Sequence, residues 1–189
     1  DGQKEIACYR AILEQNPDDI QALAQLAYAC RDMDDIDGAV AAYKRLIEAN
    51  PPARAFYVSE IVRLYAKAGN QQETDAWIAK ATDERELATA SGRARLGRLY
   101  YDIGQPDKAI EHFRAAVAMA QEPVQREHYQ LQYARILAGI GRLDEARSIA
   151  EALARDARHA STQQEARAIL ESIRLQGTRA PAAKEGSAP

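Results

Sequence analysis

Apolar residues recur along the chain at intervals of three and four, in runs that break at regularly spaced turn residues. That spacing predicts amphipathic helices, and no segment alternates with the period of two that a strand face requires. Gly69, Gly104 and Gly141 each close such a run, at intervals of 35 and 37 residues, and Asp34 stands 35 residues before Gly69. Glycine at these points permits the backbone conformation that ends a helix and lets the chain reverse. Taking the turn residue as position fifteen of a unit places unit starts at Ile20, Ala55, Ala90 and Glu127.

Within each unit the apolar pattern repeats. Positions seven and eight are Leu26-Ala27, Ile61-Val62, Leu96-Gly97 and Tyr133-Ala134, and position eleven is Cys30, Tyr65, Tyr100 and Leu137. In the second half, position twenty is Ala39, Thr74, Ala109 and Ala146, and position twenty-four is Tyr43, Ile78, Phe113 and Ala150. Positions four, seven, eight and eleven share one helix stripe, and positions twenty, twenty-four and twenty-seven share another. Small residues at eight and twenty let the two helices of a hairpin approach, and large ones at eleven and twenty-four fill the remaining space. One hairpin cannot cover its own apolar face, so the units are expected to stack.

This pattern resembles the tetratricopeptide repeat, whose 34-residue signature is W-x2-L-G-x2-Y followed by A-x3-F and a proline. The unit from Ala90 carries it best, with Leu96-Gly97-x2-Tyr100 and then Ala109-x3-Phe113. Arg93 stands at the tryptophan position and Gln121 at the final proline. The unit from Ile20 keeps Leu26, Ala27, Ala39, Tyr43 and a terminal Pro51, while the unit from Ala55 has Thr74 for the usual alanine. The resemblance covers about residues 3–156. It implies an all-α fold, a right-handed α-solenoid of antiparallel helix hairpins.

Four organisational segments follow. Residues 1–17 read as the second helix of a truncated N-terminal repeat, with Tyr9 and Ile12 at positions twenty-four and twenty-seven, which implies that the natural protein continues upstream. Residues 18–157 hold four repeat-like hairpins. Residues 158–176 read as a capping helix, opened by a capping box of Ser161 and Gln164 and carrying Ala166, Ile169, Leu170 and Ile173 on one stripe. Residues 177–189 are rich in Gly, Ala, Pro and Ser, and are expected to be a disordered tail.

Composition adds limits. Of 189 residues, 47% are apolar and 28% charged, and the net charge of −3 supplies no global pull toward nucleic acid or anionic membrane. No apolar run reaches the roughly 18–20 residues of a membrane span. The location is expected to be cytoplasmic or periplasmic. Cys8 and Cys30 lack metal-ligand neighbours and CxxC spacing, and read as small buried hydrophobes, with a disulfide as the alternative.

Candidate catalytic chemistry is sparse. His112, His128 and His159 have no HExxH partner, and Gly139-x-Gly141 lacks the strand and third glycine of a dinucleotide loop. The acidic stretch from Asp32 to Asp37 lacks the glycine and distal glutamate of a calcium loop. No catalytic residue, cofactor or metal is expected, and the reading is of a protein without enzymatic activity.

Binding is the stronger candidate. In stacked repeats of this type the first helices line the concave side, and positions two, five, six, nine, twelve and thirteen point away from the core stripe. Across four units those positions hold six basic residues, Arg31, Arg63, Lys67, Arg95, Arg98 and Arg135, and three acidic ones, Asp32, Glu60 and Asp102. The face therefore counts +3 by difference on a chain of −3. Tyr28, Phe56, Tyr101, His128 and Leu131 are interleaved.

One reading is a groove for an acidic peptide or helix segment, with Tyr28, Arg31, Arg63, Lys67, Arg95, Arg98, Tyr101, His128 and Arg135 as its lining. The other is an ordinary solvated face whose arginines pair with neighbouring carboxylates. Some family members clamp a C-terminal carboxylate with lysine and asparagine; here Ala24, Tyr28, Ser59 and Arg63 stand at the corresponding positions, so that clamp is not reproduced. Arg93, Arg95 and Arg98 form too small a basic cluster in an acidic chain to indicate nucleic acid. The expected function is a non-catalytic protein–protein interaction scaffold. The alternative is an accessory or self-association domain of a larger enzyme or assembly factor, forming a homo-oligomer through an open N-terminal edge.

Overall fold

The structure, a computed structural model, describes residues 2–82 and 84–179. Among the described residues every regular element is helical. The α-helices are α1 (Gly2–Gln15), α2 (Ile20–Asp32), α3 (Ile36–Ala49), α4 (Arg54–Lys67), α5 (Gln71–Ala81), α6 (Glu84–Leu87), α7 (Ala90–Asp102), α8 (Pro106–Met119), α9 (Pro123–Gly139), α10 (Leu143–Asp156) and α11 (Ala160–Arg179). A 3-10 turn, Pro51–Ala53, precedes α4. The chain divides into two compact units, Asp1–Arg85 and Glu86–Pro189.

In the first unit α2 pairs with α3 and α4 with α5, while α1 packs on α2 and α3 packs on α4. In the second, α7 pairs with α8 and α9 with α10; α8 packs on α9, and α11 covers both α9 and α10. Each unit is thus a stack of antiparallel helix hairpins. The first helix of each hairpin is its A helix (α2, α4, α7 and α9) and the second its B helix.

The turns explain why the chain reverses where it does. Asp34, Gly69, Gly104 and Gly141 all have positive φ, at 57°, 71°, 74° and 83°. Each closes the same double hydrogen-bonded cap. In the turn at Gly104, its N–H donates to Tyr101 O at 3.0 Å and the next N–H, of Gln105, donates to Tyr100 O at 2.8 Å. The same two bonds recur at Asp34–Asp35, Gly69–Asn70 and Gly141–Arg142. Two of the following helices, α3 and α5, are started by side chains that accept orphan amides: Asp35 from Gly38 N at 2.9 Å and Asn70 from Glu73 N at 3.2 Å. Asp19 and Thr89 cap α2 and α7 in the same way.

The predicted stripes are the core. Leu23, Leu26, Ala27 and Cys30 of α2 meet Ala39, Tyr43 and Leu46 of α3, all buried. In the best-matching hairpin the helices meet at Gly97, where a side chain is excluded: an added Cβ would lie 2.8 Å from the Phe113 ring and 3.1 Å from Ala109 O. Burying one ring such as Phe113 contributes on the order of 1.5–3 kcal/mol.

Several expectations are corrected. The core residues of α1 are Ile6 and Leu13, whereas Ile12 is 40% exposed and Tyr9 half-buried. The connection from Leu13 to Ile20 is one residue shorter than a uniform 34-residue unit requires, which shifts the buried stripe by one. Cys8 is exposed and only Cys30 is buried, and both are free thiols. Leu131 is buried with Ser59 and Ala94, so position five is covered in three of the four units, while Ala24 of the remaining unit is half-buried. Helix α11 begins at Ala160, which places Ser161 inside its first turn, and it continues to Arg179. Most of the expected tail, residues 180–189, lies outside the described residues.

Candidate functional site

The first unit presents the open sides of α2 and α4 together. Arg31 lies 5.1 Å above the Tyr28 ring centre, one turn earlier on the same helix. Its guanidinium contacts Asp32 at 3.0 Å and reaches across to Glu60 of α4 at 4.0 Å. Glu60 also accepts a hydrogen bond from Arg63, one turn along α4. The Glu60 side chain is only 14% exposed, so two arginines hold a largely desolvated carboxylate. At the far end Lys67 pairs with Asp34 at 2.6 Å, but both are mostly exposed, and such a pair contributes about 0–1 kcal/mol.

Beneath this face lies Tyr43 of α3. Its ring is edge-on to Tyr28 at 6.5 Å and tilted against Tyr57 at 6.1 Å. The residue is fully buried and its hydroxyl has no hydrogen-bond partner among the described residues. Burial pushes its phenol far up, the Glu60 charge adds to the shift, and Arg31 opposes it, so the group remains a neutral donor at physiological pH.

The second unit offers the open sides of α7 and α9. Arg98 donates to Asp102 at 3.0 Å and lies 5.9 Å from the centre of the Tyr101 ring. Arg95 is half-buried, and desolvation pushes its guanidinium down without removing its charge at neutral pH. On α9, Arg135 pairs with Glu165 of α11, and exposed His128 contacts Gln132 at 2.6 Å. Arg93, at the place of the family's tryptophan, donates to Leu87 O at 2.9 Å.

Residues chosen from sequence thus fall on two faces: Tyr28, Arg31, Arg63 and Lys67 on the first unit, and Arg95, Arg98, Tyr101, His128 and Arg135 on the second. All are exposed or half-buried. What residue counting along single helices missed is the pairing between helices. Asp34 and Glu165 lie outside the counted positions yet reach Lys67 and Arg135. The Tyr43 hydroxyl was missed as well; the signal was a tyrosine where a buried ring needs no oxygen. Among the described residues no group of three or more His, Cys, Asp or Glu is placed to hold a metal ion, and no helix is long and apolar enough to cross a membrane.

Tetratricopeptide-repeat family models match residues 94–161 and, separately, residues 20–52. Comparison with curated protein sequences yields no match. Among solved structures, MamA is similar at 17% identity and a TM-score of 0.46, over 92% of this chain and 89% of that one. TTC0263, a thermophilic tetratricopeptide-repeat protein of Thermus thermophilus, is similar at 20% identity and a TM-score of 0.47, over 88% and 89%. YrrB, described as a tetratricopeptide-repeat protein with an unusual peptide-binding site, is similar at 19% identity and a TM-score of 0.43, over 91% and 93%. Turn residues, helix hairpins and two matched segments agree: this chain belongs to the tetratricopeptide-repeat family.

Proposed function

We propose that the A-helix faces of this chain hold an acidic peptide or helical segment of another protein, within the general role of the fold as a protein–protein interaction scaffold. The observation that carries this reading is the pairing of arginine with an aromatic ring on both faces, Arg31 with Tyr28 and Arg98 with Tyr101. A planar guanidinium laid on a ring is held in place yet still directs its edge at a carboxylate. Arg98 and Arg135 also keep most of their surface in solvent, at 63% and 53%, while paired with a single carboxylate. Exposed pairs of this kind are weak and can be exchanged for a better-placed partner.

The test is binding of a fluorescein-labelled decapeptide of alternating Glu and Ala, followed by anisotropy. Arg63, Arg98 and Arg135 are changed together to glutamate, sparing the desolvated Arg95, and far-UV circular dichroism checks that the helices persist. Binding is expected to fall at least about tenfold, a difference of about 1.4 kcal/mol, and parent binding to weaken with salt. Equal binding by parent and triple variant, with the same salt dependence, overturns the reading.

A further inference from the structure

The first unit carries a finer feature at the crossing of α2, α3 and α4. Four charges there balance: Arg31 and Arg63 against Glu60 and Asp32. A peptide carboxylate approaching this point competes with Glu60 and Asp32 for the two cations, which weakens its attraction without removing it. One group beside these charges is unsatisfied. The Tyr43 hydroxyl is buried, is flanked by the Tyr28 and Tyr57 rings, and feels the charges of Glu60, Arg31 and Asp32, yet donates to nothing among the described residues. A buried hydroxyl is normally paired, so an unpaired one beside these charges is a donor open to an incoming acceptor.

We propose that Arg31, Arg63 and Tyr43 form a subsite for one aspartate or glutamate side chain of a bound peptide, and that Glu60 occupies its cationic half until the peptide displaces it. This deepens the proposed function and rests on it. The chemistry is specific. A carboxylate has two oxygens and about four acceptor positions, enough to take an arginine edge and a phenolic hydroxyl together. Glu60 reaches the arginines but makes no hydrogen bond to the Tyr43 hydroxyl. An incoming side chain that satisfies both replaces a partial set of bonds with a fuller one. Glu60 then acts as an internal competitor: it holds two arginines in place in the empty protein, and it limits affinity for weakly acidic segments.

The experiment uses the whole chain and the same Glu/Ala decapeptide, with a Gln/Ala decapeptide as the uncharged control. Glu60→Gln keeps the shape and removes the competing charge, and it is expected to bind the acidic peptide about tenfold more tightly than the parent, with no gain for the control. Adding Tyr43→Phe to Glu60→Gln is expected to lose at least threefold of that gain, although the phenylalanine fills the same space. Thermal melts confirm that both variants fold. Binding by Glu60→Gln no tighter than the parent overturns the proposal, as does a double variant that binds as tightly as Glu60→Gln alone. If the parent binds and the Arg63/Arg98/Arg135 reversal abolishes binding while Glu60→Gln has no effect, the scaffold reading stands and only the subsite fails. If neither the parent nor Glu60→Gln binds the peptide, both fail.

Discussion

Replacing Gly104 by alanine isolates the backbone physics on which the hairpins depend. Gly104 has φ of 74°, and a Cβ built there meets nothing within 4 Å. No clash enters, so the cost is that of holding an L-residue in the left-handed region, about 1–2 kcal/mol. Alanine also restricts the unfolded chain relative to glycine, which returns about 0.4–1 kcal/mol. A net loss of about 1 kcal/mol remains. For a chain of 150–250 residues, the class to which these 189 belong, that lowers the melting temperature by about 2–4 °C. Gly104→Asn supplies the control, because asparagine tolerates this region by bonding locally; the natural Asp34, at φ of 57°, shows that this chain already uses such a residue at the equivalent turn. The assay is thermal unfolding by circular dichroism at 222 nm for parent, Gly104→Asn and Gly104→Ala, expected to melt in that descending order. Alanine melting with the parent, or asparagine melting below alanine, refutes the reasoning.

Two further outcomes follow from the core of the second unit. Phe113→Ala removes a fully buried ring that packs on Gly97 and stacks on Tyr133 at 6.2 Å, and it should cost about 3–5 kcal/mol in urea denaturation; a loss under about 1 kcal/mol contradicts the packing described. His112 is stacked on Tyr100 at 5.3 Å with Arg93 at 3.5 Å; burial pushes its pKa below 6.5, and the Arg93 charge adds to this while Glu111 opposes it. Its folded-state pKa lies below the unfolded one, so its share of stability is complete above about pH 6.5 and declines as pH falls through that value toward the folded pKa. His112→Gln should flatten this part of the stability profile between pH 5 and 7 (~2 units, spanning the reference pKa), and an unchanged profile contradicts it.

Much of the fold is legible in the residue pattern because the repeat imposes it four times. The left-handed turn at Asp34, Gly69, Gly104 and Gly141 is marked by residue types that suit no other place as well. Position eight is small wherever helices touch most closely, as at Gly97 and Ala27. The buried arc of the A helices is wider than one stripe. Tyr57, Leu64, Leu99, Tyr129 and Ile136 are also buried, because a helix inside a stack is covered on two sides and a single-stripe template describes only one. The α1 register departs from the repeat for a different reason: the connection to α2 is one residue shorter than a uniform period gives. The electrostatics of the faces were the least legible. A count of six cations and three anions takes no account of Asp34 and Glu165, which come from a turn and from the last helix to reach Lys67 and Arg135. Nor does it show that Glu60 sits between Arg31 and Arg63. Charge summed along a helix face is a composition; what a ligand meets is set by the neighbouring helices as well.

The central claim is that a ligand is held on the A helices, and amide chemical-shift mapping tests it most directly. Titration of the isotopically labelled chain with the Glu/Ala decapeptide should move resonances at Tyr28, Arg31, Glu60 and Arg63 on α2 and α4, and at Arg98, Tyr101 and Arg135 on α7 and α9. Shifts confined to the B helices α3, α5, α8 and α10 would contradict it.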